Sequence, residues 1–291
     1  MSKLKAKDPL TVEPTKPKFV IYSASGVGKT WFGLSFPSVY YIDTEGGASR
    51  AHYMERLSKA GGQYLGVEEG SLDFEVVIDQ IKALSTEKHK FKTVVIDSIS
   101  KLFNNAVASE AERLGDKNAF GADKKPAIAY MRRLVAALGR LDMNVILIAH
   151  EKAEWGMDSK GDRVELGKVA DCWDKLIYEL DLALHCQKRG ASRAAVVKKS
   201  RLIGFPEGQS FPLEFTDFAD RYGKDIIEKS ANQIKLATPE QVGEINRLVE
   251  LLKIDSAAVE KWLEKANAET IAEFNETQAN KIIESLKSKI K

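Results

Sequence analysis

Cysteine is scarce: Cys172 and Cys186 are the only two in 291 residues. Neither stands in a C-x-x-C pair, and two thiols without histidine help are too few for a zinc cage, so a reduced intracellular protein is expected. Long apolar runs are missing too. No stretch of about 18 apolar residues occurs, which argues against a membrane span. The opening MSKLKAKDPLTVEPTKPK has no hydrophobic core of a signal peptide, so a cytosolic location is expected. A marked excess of either charge sign is also absent. A formal net charge of +2 gives no global signature of nucleic-acid binding, and any such reading must rest on local patches. No internal repeat or low-complexity tract is found.

What remains is an ordinary globular composition, 44% apolar and 30% charged, long enough for one large or two smaller domains. Residues 1–17, rich in Lys and Pro, read as a flexible arm. From KFVIYS onward, short apolar strands alternate with amphipathic segments: SVYYID, the helical FEVVIDQIKAL, KTVVIDS, the helical AIAYMRRLVAALGRL, and NVILIAH. Near-continuous apolar strands suit a parallel sheet buried on both faces, and the βα alternation implies a three-layer α/β core over 18–222. DLALHCQ, RAAVVKK and QSFPLEF read as further strands that extend the sheet in antiparallel fashion. Residues 223–236 read as a linker. A small helical domain over 237–291 opens with a capping box at Thr238-Pro-Glu-Gln241.

Ser23-Ala24-Ser25-Gly26-Val27-Gly28-Lys29-Thr30-Trp31 follows the first strand and opens a helix. It matches G-x-x-x-x-G-K-[ST], with Ser23 in place of the first glycine. Gly26 and Gly28 let backbone N–H groups wrap a phosphate, Lys29 reaches the β- and γ-phosphates of ATP, and Thr30 ligates Mg²⁺. Asp97 ends the strand TVVIDS, where an acid holds the magnesium through water. YIDTEGG ends on the same sheet edge. Glu45 is the carboxylate placed to polarise the attacking water, and Asp43 reads as structural.

P-loop, then IDTEG, then VVIDS resembles the RecA-type recombinase core, whose archaeal and eukaryotic members carry a nearly identical I-D-T-E-G. The nearest resemblance is to small phage-encoded RecA-like ATPases of single-strand annealing or recombination with a helical tail. It covers roughly residues 18 to 217. It implies that Glu45 is the catalytic base, that His150 stands where the family places a γ-phosphate sensor (often Gln), and that Lys199 and Arg201 reach a neighbour's nucleotide. The K-x-R spacing would set those two on one strand face. It also implies head-to-tail self-association as a ring or filament, and a single-strand DNA-binding protein as a further partner.

The family's two DNA loops match RLGDKNAFGADKKP, with Lys117, Phe120, Lys124 and Lys125 and with Arg132 and Arg133 nearby, and EKAEWGMDSKGDRVELGK, with Trp155. Cations near an aromatic suit single strands. Two functions follow as expectations. The first is an ATP-dependent, DNA-stimulated single-strand-binding recombination protein, in the host cytoplasm if phage-encoded. The second is a RecA-like ATPase that acts as a switch or regulator through protein partners, without direct DNA binding. A non-hydrolysing scaffold is disfavoured, because Lys29, Thr30, Glu45 and Asp97 are all present.

Overall fold

The computed structural model describes residues 14–118, 121–266 and 268–290. β1 (Lys18–Ser23), α1 (Lys29–Gly33) and β2 (Val39–Asp43) come first. Then α2 (Ala51–Lys59), a short β3 (Gln63–Leu65) and α3 (Phe74–Thr86) lead to β4 (Thr93–Asp97), which is buried throughout. α4 (Ile99–Leu114) and α5 (Lys124–Arg140) precede the long β5 (Asn144–Met157), β6 (Arg163–Ala170) and a helical turn, α6 (Leu176–Glu179). β7 (Leu182–Arg189), β8 (Ser192–Ser200), β9 (Ser210–Pro212), α7 (Phe215–Tyr222) and α8 (Lys224–Glu228) follow. α9 (Pro239–Leu251), α10 (Ser256–Ala266) and α11 (Glu276–Lys287) end the chain.

The strands are ordered β3-β2-β4-β5-β1-β7-β8-β9, with β6 paired to the outer half of β5. From β3 to β7 the pairings are parallel; β8 and β9 are antiparallel. The fold is therefore α/β with a mainly parallel sheet. Successive residues of the central strands, such as Val94, Val95 and Ile96 or Val145, Ile146 and Leu147, are all fully buried. Side chains alternate between faces, so both faces are covered, which is why these strands carry apolar runs and no polar alternation. Among the described residues no helix is long and apolar enough to cross a membrane.

Several expectations are corrected. DLALHCQ becomes β7 and runs parallel to β1, so only β8 and β9 extend the sheet in antiparallel fashion. EKAEWGMDSKGDRVELGK is a two-stranded ribbon of β5 and β6, not a loop. α4 was not visible in the sequence pattern, because its outer turns (NNAVASEAER) are polar. Within 223–236, Lys224–Glu228 forms a helical turn with Ile227 fully buried. Lys16, at the end of the presumed arm, is 3% exposed and donates to the Lys229 carbonyl.

The chain divides into two compact units. The first holds the sheet. The second takes 80–89, 136–141 and 232–291, around Ile245, Phe274 and Ala279 with Trp262, Leu263, Ile282 and Ile283 packed against them. Within the second, capping boxes at Thr238/Gln241 and Asn275/Gln278 start α9 and α11.

In the first unit, the sheet face behind α1 is closed by a cluster of rings. Phe19 stacks on Phe218 with centroids 4.8 Å apart, and Phe32, Phe36 and Phe205 surround the pair. Phe218→Ala should therefore cost about 3–5 kcal/mol in denaturant unfolding. A loss below about 1 kcal/mol would contradict this packing.

Candidate functional site

The ends of β1, β2, β4 and β5 meet at one edge. The registers pair Ser23 with His150 and Asp43 with Asp97, so the P-loop and the acids gather there. Gly26 and Gly28 have φ of +76° and +109°, the left-handed region that glycine enters freely. Ser23 needs no such conformation, which explains how serine stands where the motif has glycine. The Lys29 ammonium is folded onto the loop, donating to the carbonyls of Ser23 (3.0 Å) and Ala24 (3.0 Å) and to Ser23 Oγ (2.9 Å). Burial is the largest influence on it and lowers its pKa.

Thr30 Oγ1 donates to Asp97 Oδ2 at 2.6 Å, and Tyr41 OH donates to the same oxygen at 3.2 Å. Burial pushes Asp97 up to about 6 despite these donors. Among the described residues no three His, Cys, Asp or Glu side chains form a metal cage. Thr30 and Asp97 nevertheless fit Mg²⁺: both offer hard oxygens, and a buried acid raised this far is suited to a cation's charge.

Each residue of Asp43-Thr44-Glu45 has a separate contact. Asp43 Oδ1 accepts from the backbone of Glu45 (3.1 Å) and Gly47 (3.0 Å), which fixes the turn. Thr44 bonds across to the end of β4: its N–H donates to the Asp97 carbonyl (2.8 Å), and its hydroxyl accepts from Ser98 N–H (2.7 Å) and donates to Ser98 O (3.0 Å). Glu45 Oε1 accepts from Ser98 Oγ at 2.6 Å and meets His150 Nε2 at 2.6 Å. Glu45, His150, Lys29, Thr30 and Asp97 thus share one cluster.

Other predicted residues lie elsewhere. Trp31, 42% exposed, sits beneath the Arg56 guanidinium at 3.9 Å, so its contact is with α2. Lys199 pairs with Ala183 at the end of the sheet opposite the P-loop and donates to the Leu180 carbonyl; Arg201 donates to the Tyr178 carbonyl. β8 ends at Ser200, so Lys199 and Arg201 are not the same-face pair of one strand that their spacing suggested.

Lys117, Lys124 and Lys125 are exposed around the start of α5, whereas Phe120 lies outside the described residues. Arg133 is engaged by Glu75 through two hydrogen bonds, at 2.6 and 2.9 Å, and Arg132 lies 5.7 Å over Trp173. Trp155 is on the ribbon, 51% exposed, with the Arg163 guanidinium 4.6 Å from its ring.

Sequence reasoning missed Ser98, Thr44 and Tyr41. Ser98 was the most accessible of these, being the residue after Asp97.

The sequence profile of a family described as AAA domain matches residues 15–212, a span that holds the whole cluster. The chain has no match among the curated proteins. Among solved structures, a prototypical ATPase from the type III secretion system of pathogenic bacteria is similar at 12% identity, over 94% of this chain and 80% of that one. Its TM-score of 0.43 is too low to bear on fold or function.

Asp97→Asn tests the buried acid. Asp97 is raised from 3.8 to about 6, so the native state keeps a proton that the unfolded chain releases, and wild-type stability falls as pH rises through that window. The variant lacks this slope. Without nucleotide it should be more stable than wild type by about 1–3 kcal/mol at pH 7 and level with it near pH 4. A variant less stable than wild type at pH 7 would contradict the assignment.

Proposed function

The chain belongs to the AAA-domain family of P-loop ATPases, and we propose that it couples ATP turnover to single-stranded DNA. One observation carries the proposal. β5 runs unbroken from His150, which touches Glu45, to Trp155 in the exposed ribbon. In this reading β5 would carry a change at Glu45 to the ribbon.

In this reading Glu45 takes the proton from the attacking water while Ser98 and His150 hold the carboxylate. Lys29 leaves the loop carbonyls to meet the phosphates, an exchange of neutral acceptors for charged ones. Thr30 and Asp97 hold Mg²⁺, which when bound neutralises phosphate charge. Trp155, with Arg163 over its ring, offers a base-stacking platform beside a cation. Lys117, Lys124 and Lys125 add phosphate contacts. Head-to-tail self-association belongs to the same proposal. In it Lys199 and Arg201, at the end of the sheet opposite this chain's own P-loop, would reach a neighbour's nucleotide.

A second reading, a switch acting on a protein partner, is favoured by exposed apolar side chains on the otherwise charged ribbon. Met157 and Leu166 are 73% and 63% exposed.

ATP turnover measured with and without single-stranded DNA, at about 50 mM salt with magnesium, separates the two. The DNA reading predicts stimulation, a complex whose log affinity falls with log salt by roughly 0.7 per phosphate contact, and a loss of about 1–3 kcal/mol for Trp155→Ala. Turnover that ignores DNA, with no complex at low salt, would leave the partner switch.

A further inference from the structure

The inner face of the β7–β8 hairpin changes character at its tip. Leu184 pairs with Val197 and Cys186 with Ala195, all buried in the core behind α1. Two residues further along the same face, Lys188 pairs directly with Arg193. Directly opposed side chains lie about 5 Å apart at Cβ, and like charges there repel. Arg189 adds a third cation at the turn.

Among the described residues, none of the charged heads of Lys188, Arg189 and Arg193 forms an ion pair or hydrogen bond. Yet Arg193 does not point away from the protein. Its Cδ and Nε lie 3.1 and 3.2 Å from where a Cβ on Gly28 would stand, with Cζ at 3.9 Å. Gly28 is the residue before Lys29. An exposed arginine, opposed by a lysine and laid against the P-loop with no acid to answer it, is arranged for an anion that arrives from outside.

We propose that Arg193, with Lys188 beside it, takes phosphate oxygens of the nucleotide bound by the P-loop of its own chain. The inference rests on the ATPase reading and deepens it. The guanidinium's planar fork suits phosphate oxygens, and its stem already packs on the loop, so little freedom remains to be lost on binding. The bound phosphates would also relieve the repulsion between Lys188 and Arg193. The hairpin tip thereby becomes a cis wall of the nucleotide site, separate from whatever a neighbour contributes.

Titration of ATP with magnesium into wild type, Arg193→Ala and Arg193→Lys tests this. The alanine variant should bind ATP about 10- to 100-fold more weakly, and the lysine variant should recover part of the loss. Without nucleotide, Arg193→Ala should melt no lower than wild type, since it removes a repulsion; a merely structural brace on Gly28 would lower the melt and leave affinity alone. A mixture of Lys29→Ala and Arg193→Ala proteins should regain no turnover, because both losses fall on one chain's site. Wild-type affinity in Arg193→Ala, or recovery in the mixture, overturns the cis assignment while the ATPase reading stands. A wild type that binds no ATP overturns both.

Discussion

Thr44 and Ser98 lock the ends of β2 and β4 together, and the site is built outward from that lock. The Thr44 hydroxyl serves both the N–H and the carbonyl of Ser98, and the Thr44 N–H reaches the Asp97 carbonyl. Two strand ends that would otherwise fray are held as one rigid corner. Asp97 is thereby kept buried under Thr30 and Tyr41, where its negative charge is costly unless a cation meets it. Ser98 then serves twice more: its hydroxyl donates to Glu45 and accepts from Lys101 N–H as the cap of α4. The base role proposed for Glu45 requires a geometry fixed in advance, and these contacts hold its carboxylate in place.

β5 is the second member of the same framework. The His150 N–H donates to Ser100 Oγ (2.8 Å), which ties β5 to the first turn of α4. Neighbouring residues on the strand face opposite ways, so His150 meets Glu45 while Glu151 meets His185 of β7 at 2.9 Å. His185 is in turn stacked on Tyr22 of β1, with centroids 5.0 Å apart. The base of the ribbon is therefore gripped from both sides at the level of the P-loop. The ribbon leaves the sheet after His150, the last residue paired with β1, and the β5–β6 register shifts by a bulge between Glu154 and Trp155.

Much of this was legible in the residues. Apolar runs such as VVI and VILI marked strands covered on both faces, and their alternation with helical stretches fixed the α/β class. The P-loop announced itself by Gly26, Gly28, Lys29 and Thr30, and Asp97 and Glu45 by strand ends that a parallel sheet must bring to one edge. What stayed hidden depends on register between segments distant in sequence. Arg193 reaches the P-loop because β8 folds back on β7, which nothing in RGASR declares. Lys199 and Arg201 looked like one strand face, but the strand stops between them. β6 was read as a loop because its charges of both signs mask the alternation of a strand.

In the proposed mechanism Glu45, held by Ser98 and His150, acts on water and not on ATP itself. Measuring ATP affinity and hydrolysis side by side for Glu45→Gln tests it most directly. The account predicts affinity within a few-fold of wild type and turnover lower by about 10²- to 10⁴-fold. Turnover near the wild-type rate, with nucleotide still bound, would contradict it.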